Sequence, residues 1–332
     1  MGRSIRTGLA AVWLGLLLTV PAFAAEPEAL VPVGRTVGLE LETDGVYVVK
    51  FDGEDRRSPA EAAGLRPGDR ILAVNGQALA RAEELREQLS RSDGAPVVLD
   101  VERNGKAMQF AVRPELREGR YLLGLCVRDR IAGLGTVTFY NPATGLFGAL
   151  GHGVGGGDCP LVIRGGTAVE TEITDVRRGE VGTPGSLLGP AVGGEALGQV
   201  ERNTNRGLFG HGDAAALDGQ AVPLADPAEV TAGPAEIWCG VEGSETEHYT
   251  VEIEAVRFDA EHCRDLRLVV TDPRLLERTG GIVQGMSGSP ILQNGKLVGA
   301  VTHVLVRDPT RGYGILIGHM LEAAEAAEPQ AA

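Results

Sequence analysis

Gly285-Met286-Ser287-Gly288-Ser289-Pro290-Ile291-Leu292-Gln293-Asn294-Gly295-Lys296-Leu297-Val298-Gly299-Ala300-Val301 is the stretch whose reading decides the fold. Glycines at 285 and 288 let the chain turn sharply around Ser287 and leave its hydroxyl accessible for nucleophilic attack. The amides of Gly285 and Ser287 can converge on the oxygen of a tetrahedral intermediate, which makes them the candidate oxyanion hole. Asn294-Gly295 between two apolar runs is a two-residue hairpin signal, so the serine sits just ahead of a strand-turn-strand unit.

That unit resembles the hairpin that follows the nucleophile in chymotrypsin-like proteases. A serine hydroxyl needs a base, and six histidines are available. His152 ends the apolar run Phe147-Gly148-Ala149-Leu150-Gly151 beside a glycine-rich loop, which places an imidazole at a strand end next to a cleft. It is the first candidate. His303 lies on the strand after the nucleophile hairpin and is the second, expected to line the substrate wall. His211, His248, His262 and His319 read as structural. For the acid that orients the base, Asp272 closes the run Val269-Val270-Thr271, whereas Asp158 and Asp175 sit in polar or irregular stretches. Asp272-Pro273 is equally a helix start, with Asp as N-cap and Pro in the first turn, and both readings stand at this point. Gly281 occupies the place where a trypsin-like enzyme carries an acid, so an Arg or Lys preference is not expected. No His-Glu-x-x-His, Cys-x-x-Cys or phosphate loop is present, and no metal or cofactor is expected.

Outward from the serine, short apolar runs broken by Gly, Pro, Asn and Asp fill the chain from Tyr121 onward and predict a strand-rich barrel or sandwich. The 48 glycines and 4% aromatic content fit many tight turns. A net charge of −14 opposes non-specific binding to nucleic acid or anionic membrane. Residues 1–24 combine Arg3 and Arg6, an apolar run and Ala22-Phe23-Ala24, which predicts a signal peptide or an N-terminal anchor and hence export. Cys126, Cys159, Cys239 and Cys263 allow two disulfides or free buried thiols. Residues 25–34 read as a linker. From Thr36, alternating strands, a short Pro-initiated helix, the turn Arg66-Pro67-Gly68-Asp69 and the phrase SPAEAAGLRPGDRILAVNGQAL resemble a bacterial PDZ domain over residues 35–114. The resemblance implies a peptide added as a strand, with Val37, Gly38 and Leu39 in the position of the carboxylate-binding loop.

The phrases TGGIVQGMSGSPILQNGKLVGAVTHVLVRDPTRGYGI, GLGTVTFYNPATGLFGALGHG and AGPAEIW resemble the SpoIVB peptidase family from the PDZ module to about residue 322. The resemblance implies a mainly β chain: an N-terminal PDZ domain, then a chymotrypsin-like double β-barrel serine protease domain over 120–322. It implies His152 as base, Asp272 as acid and Ser287 as nucleophile. It further implies a signalling peptidase that cleaves itself and a membrane-associated regulatory protein during sporulation, with a PDZ ligand peptide that can come from the same chain. The competing class is a non-catalytic PDZ-containing scaffold with a protease-like binding domain.

Overall fold

The computed structural model describes residues 28–52, 57–155, 160–217 and 219–326. The leader at 1–24, Asp158 and Cys159 lie outside them. In chain order the elements begin with β1 (Ala29–Pro32), β2 (Thr36–Phe51), α1 (Pro59–Ala62), β3 (Arg70–Val74), β4 (Gln77–Ala78), α2 (Ala82–Arg91), β5 (Val97–Arg103) and β6 (Lys106–Val112). Then come β7 (Glu115–Arg117), β8 (Arg120–Leu122), β9 (Leu125–Tyr140), β10 (Leu146–Ala149), β11 (Ile163–Glu170), β12 (Asp175–Arg177), β13 (Ser186–Leu188), β14 (Ala196–Thr204) and β15 (Gly207–Gly212). The last third holds α3 (Ala214–Leu217), β16 (Val222–Pro223), β17 (Gly233–Cys239), β18 (Glu247–Val256), β19 (Leu266–Val270), α4 (Pro273–Thr279), β20 (Pro290–Gln293), β21 (Lys296–Leu305), β22 (Asp308–Leu316) and α5 (Ile317–Glu325).

Three cores organise these elements. The order β9-β10-β15-β14-β11-β2 closes on itself because β2 also pairs with β9, giving a first barrel. Period-2 alternation turns Val37, Leu39 and Leu41 of β2 into its core with Val137, Val200 and Leu208. A second closed barrel runs β17-β18-β19-β22-β21-β20 around Ile237, Ile253, Leu268, Val298 and Val301. The third core, Val46, Val48, Ile71, Leu85, Leu89 and Leu99, is that of the PDZ unit, where α1 and α2 cover β3, β5 and β6. α1 starts as its sequence predicts, with the Ser58 hydroxyl accepting from the Glu61 amide and Pro59 in the first turn. Helix α5 clamps the two barrels through Met320 and Leu321, which pack with Phe139, Phe209 and Leu297. Its start is held by fully buried Asp265, whose carboxylate accepts from the Leu316 amide and from His319 Nδ1.

The mainly β fold expected from the sequence, a PDZ unit followed by a β-barrel protease domain, is therefore what the chain adopts. One boundary differs. Strands β2 and β9, 16 residues each, pair from Thr36↔Thr136 to Phe51↔Leu125 and serve two bodies in turn. Thr36 to Thr43 lie in the first barrel. Val46 and Val48 lie in the PDZ core, and the ladder is interrupted by bulges between Glu42 and Tyr47 and between Val48 and Lys50. The assignment of Val37, Gly38 and Leu39 to a PDZ carboxylate loop is corrected accordingly. All three are mid-strand residues paired on one edge with β11 and on the other with β9, so no edge is left to receive a peptide. Gly38 is needed for another reason: a Cβ there would lie 2.8 Å from the Ala191 carbonyl carbon. The expected linker at 25–34 likewise contains β1, with Leu30 and Val31 buried. Cys126, Cys239 and Cys263 stand as free thiols, and burial pushes Cys239 up to about 12 and Cys263 to about 11.

Candidate active site

Ser287 lies on the loop from α4 to β20, on the second barrel. Three bonds from β9 of the first barrel fix that loop. The Thr136 amide donates to the Ser287 carbonyl at 2.9 Å, the Thr136 hydroxyl to the Gly285 carbonyl at 2.8 Å, and the Thr138 hydroxyl to the Gly288 carbonyl at 2.7 Å. Both threonines are fully or almost fully buried. Sequence reasoning missed them, although their alternation with apolar Val137 and Phe139 placed them on one face. Gly285 and Gly288 take φ of +101° and +97°, conformations that glycine tolerates and other residues resist. Among the described residues the amides of Gly285 and Ser287 donate no hydrogen bond, which leaves both free for a ligand oxygen.

His152 follows β10 and, with Ser287, lines one cleft of about 600 Å³ between the barrels. Its Nδ1 lies 2.9 Å from the Gly153 carbonyl. A carbonyl only accepts, so Nδ1 carries the proton and Nε2 is left with its lone pair, the tautomer a general base needs. The Ser287 hydroxyl itself donates to the Thr302 carbonyl at 2.8 Å. His303 lines the same cleft, with its ring centroid 4.9 Å from that of His152. Burial holds the His152 imidazole below the usual histidine value, against the opposing pull of the Gly153 carbonyl. Burial, and then the neighbouring His152, bring His303 down to about 4. Both rings are therefore neutral at pH 7. For a reaction that uses a neutral His152, kcat/KM should be level at pH 7 and fall as pH drops through an apparent value below 6.5. A pH–rate profile of kcat/KM checks this, and an acid limb centred at or above 6.5 would contradict it.

Asp272 is not brought to His152. It is the N-cap of α4, accepting from the Arg274 amide at 2.9 Å and the Thr250 amide at 3.3 Å, with the Arg274 guanidinium at 3.0 Å. That guanidinium holds its carboxyl below the usual carboxylate range. Asp272 is absent from the cleft wall, and the helix-start reading of Asp-Pro accounts for its partners. Replacing it with alanine is expected to cost about 1–2 kcal/mol of stability with kcat of the folded protein within about tenfold of the parent. An orienting acid would instead cost about 10⁴-fold in kcat. Thermal melting read beside single-turnover rates separates the two. Asp175 also stands apart from the cleft, in β12. The other histidines have structural partners: His211 with Glu201, His262 with Asp259, His319 with Asp265, and His248 stacked on Trp238 at 4.0 Å.

The remaining cleft wall is uncharged. Leu134, Leu150, Leu187, Ile282, Val283 and Val304 supply most of it, and Gly281 is pressed against Pro309. In the PDZ unit a second apolar-Gly-apolar turn, Leu123-Gly124, lies ahead of β9. The Leu123 and Gly124 carbonyls accept from Ala60 and Asp52, while their amides have no acceptor among the described residues. The sequence Leu122-Leu123-Gly124-Leu125 carried the same apolar-Gly-apolar signal as Val37-Gly38-Leu39.

Comparisons with known proteins agree with this anatomy. A PDZ domain model matches residues 51–103. A putative zinc metalloprotease of Lactococcus lactis is 36% identical over 103 residues, 29% of this chain and 24% of its own. A probable periplasmic serine endoprotease of the DegP-like type from Chlamydia trachomatis is 41% identical over 78 residues, 24% of this chain and 15% of its own. The chain thus spans a quarter or less of the length of these relatives. The PDZ domain of an SdrC-like protein from Listeria monocytogenes is 25% identical with a TM-score of 0.23, covering 26% of this chain and 90% of that one. The SpoIVB peptidase S55 model matches residues 119–321, which hold the second barrel, every strand of the first except β2, Ser287 and His152, and the chain belongs to that family of serine peptidases.

Proposed function

We propose that the chain performs limited endoproteolysis with Ser287 as nucleophile and His152 as base. The observation that carries this reading is the joining of Ser287 and His152, from opposite barrels, on the wall of one uncharged cleft with Nε2 of His152 unprotonated. Rotation of the Ser287 hydroxyl off the Thr302 carbonyl lets Oγ attack a peptide carbonyl carbon while its proton passes to His152 Nε2. The Gly285 and Ser287 amides receive the oxyanion, a stabilisation of roughly 3–4 kcal/mol per donor in such sites. Collapse breaks the C–N bond, the amine leaves with the proton from His152, and water then hydrolyses the acyl-enzyme by the same route. The Gly153 carbonyl holds the productive tautomer, the task a carboxylate performs in a triad.

An uncharged wall favours an apolar residue before the scissile bond. The finer reading follows the family: an exported peptidase that processes itself and a membrane-associated regulatory protein, with a peptide captured at the Leu123-Gly124 turn. The apolar leader supports export, and the PDZ unit, built on the same two strands as the catalytic barrel, supports selective rather than digestive cleavage. Incubating the full chain with a fluorophosphonate probe and mapping the adduct by mass spectrometry tests the chemistry. Labelling of Ser287 is expected. An unlabelled Ser287 in folded protein, with peptide binding intact, would favour the PDZ-containing scaffold.

A further inference from the structure

We propose that the free edge of β9 carries the C-terminal tail of a protein substrate from the PDZ unit into the cleft, so that cleavage falls about ten residues before a free carboxylate. The inference rests on the peptidase reading above.

One edge of β9 is occupied by β2 from Leu125 to Thr136. On the other, β10 pairs only with Val137 to Tyr140, and among the described residues no strand pairs with the preceding ones. Thr136 faces this second side, since its amide donates to Ser287 and its carbonyl accepts from Leu150. Strand alternation turns the main-chain groups of Leu134, Ala132, Arg130 and Arg128 the same way. Ala132 and Gly133 are exposed, and a Cβ on Gly133 would meet nothing within 4 Å. A long unpaired edge is normally blunted or covered, and this one is open.

Its two ends give it meaning. At one end Ile131, Gly133 and Leu134 line the cleft that contains Ser287. At the other is the Leu123-Gly124 turn, whose two amides have no acceptor among the described residues, with Gly124 at φ +67°. Helix α2 lies alongside, its first amide at Ala82 bound to the Asp129 carboxylate at 2.8 Å. A turn with free amides, an open strand edge and a flanking helix together capture a peptide as an added strand with its carboxylate in the turn. Because that turn precedes β9, the peptide runs antiparallel to β9 and its upstream residues proceed toward Ser287. Paired residue for residue from Leu125 to Leu134, the tail spans about ten residues, each adding about 3.4 Å. The fold then measures the cut from the substrate's end.

The test uses the full chain and a mixture of random-sequence peptides of twenty residues with free carboxylates, beside the same mixture amidated at the C-terminus. C-terminal products are sized by mass spectrometry. Products clustered near ten residues are expected, with amidation lowering the rate roughly tenfold or more as charge-assisted bonds to the turn are lost. Product lengths spread evenly, or clustered but indifferent to amidation, would overturn the ruler while Ser287 still labels with fluorophosphonate. Indifference to amidation with efficient self-cleavage would point to an internal segment of this chain as the occupant. Absence of both cleavage and labelling would remove the peptidase reading itself.

Discussion

Replacing Ser287 by alanine is expected to lower peptide turnover by about 10⁴- to 10⁶-fold and to leave the fold in place. The two parts of the expectation have separate causes. In the proposed mechanism Oγ is the atom that forms the acyl-enzyme, and water held in the same cleft lacks both its position and its direct route to His152. Structurally the hydroxyl makes one bond, to the Thr302 carbonyl, so its loss should cost about 1 kcal/mol. The loop keeps its three anchors from Thr136 and Thr138. Turnover of a peptide substrate measured beside a thermal melt checks both. A melt lowered by tens of degrees would mean that Ser287 is structural, and turnover above about 1% of the parent would place the nucleophile elsewhere.

Replacing His152 by glutamine is expected to cost a comparable 10⁴-fold or more in kcat, because nucleophile and base act as one unit. Glutamine keeps a polar group near the Gly153 carbonyl but has no nitrogen lone pair that can take the serine proton. The same change at His303 should cost far less, about tenfold to a hundredfold. His303 borders the cleft with its Nδ1 buried and unpartnered among the described residues, and nothing fixes its tautomer. Single-turnover rates of the two variants at pH 7, and again above pH 8, check the order. If His303→Gln proves the more damaging at both, His303 is the base and His152 the wall, the reverse of the assignment made from the strand-end position of His152.

The interplay of the two barrels also explains why the site is legible only in part from local sequence. Gly285 to Pro290 and Ala149 to His152 announce themselves because sharp turns and an imidazole set at the wall of a cleft need glycine nearby, a requirement local in the chain. The PDZ unit is announced by its helix starts and turns, such as Ser58-Pro59 and Asn75-Gly76, for the same reason. These signals settled the fold class, the presence of both modules, and the serine and histidine that share the cleft.

Long-range pairing decided the rest. Val37-Gly38-Leu39 and Leu122-Leu123-Gly124-Leu125 carry the same local pattern, and only the ladder shows that the first is sealed between β9 and β11 while the second opens onto a free edge. Asp272 satisfied two local rules at once, and the choice fell to the helix cap because Arg274 and Thr250, not His152, surround its carboxylate. Thr136 and Thr138 gained their role from carbonyls some 150 residues away. By itself the sequence determined which turns form, which faces are apolar and which residues are chemically able to react. Hydrogen-bond partners across barrels have no signature in local periodicity, so the tertiary structure alone decided which of those residues meet, and that one strand runs from the Leu123-Gly124 turn to the loop that carries Ser287.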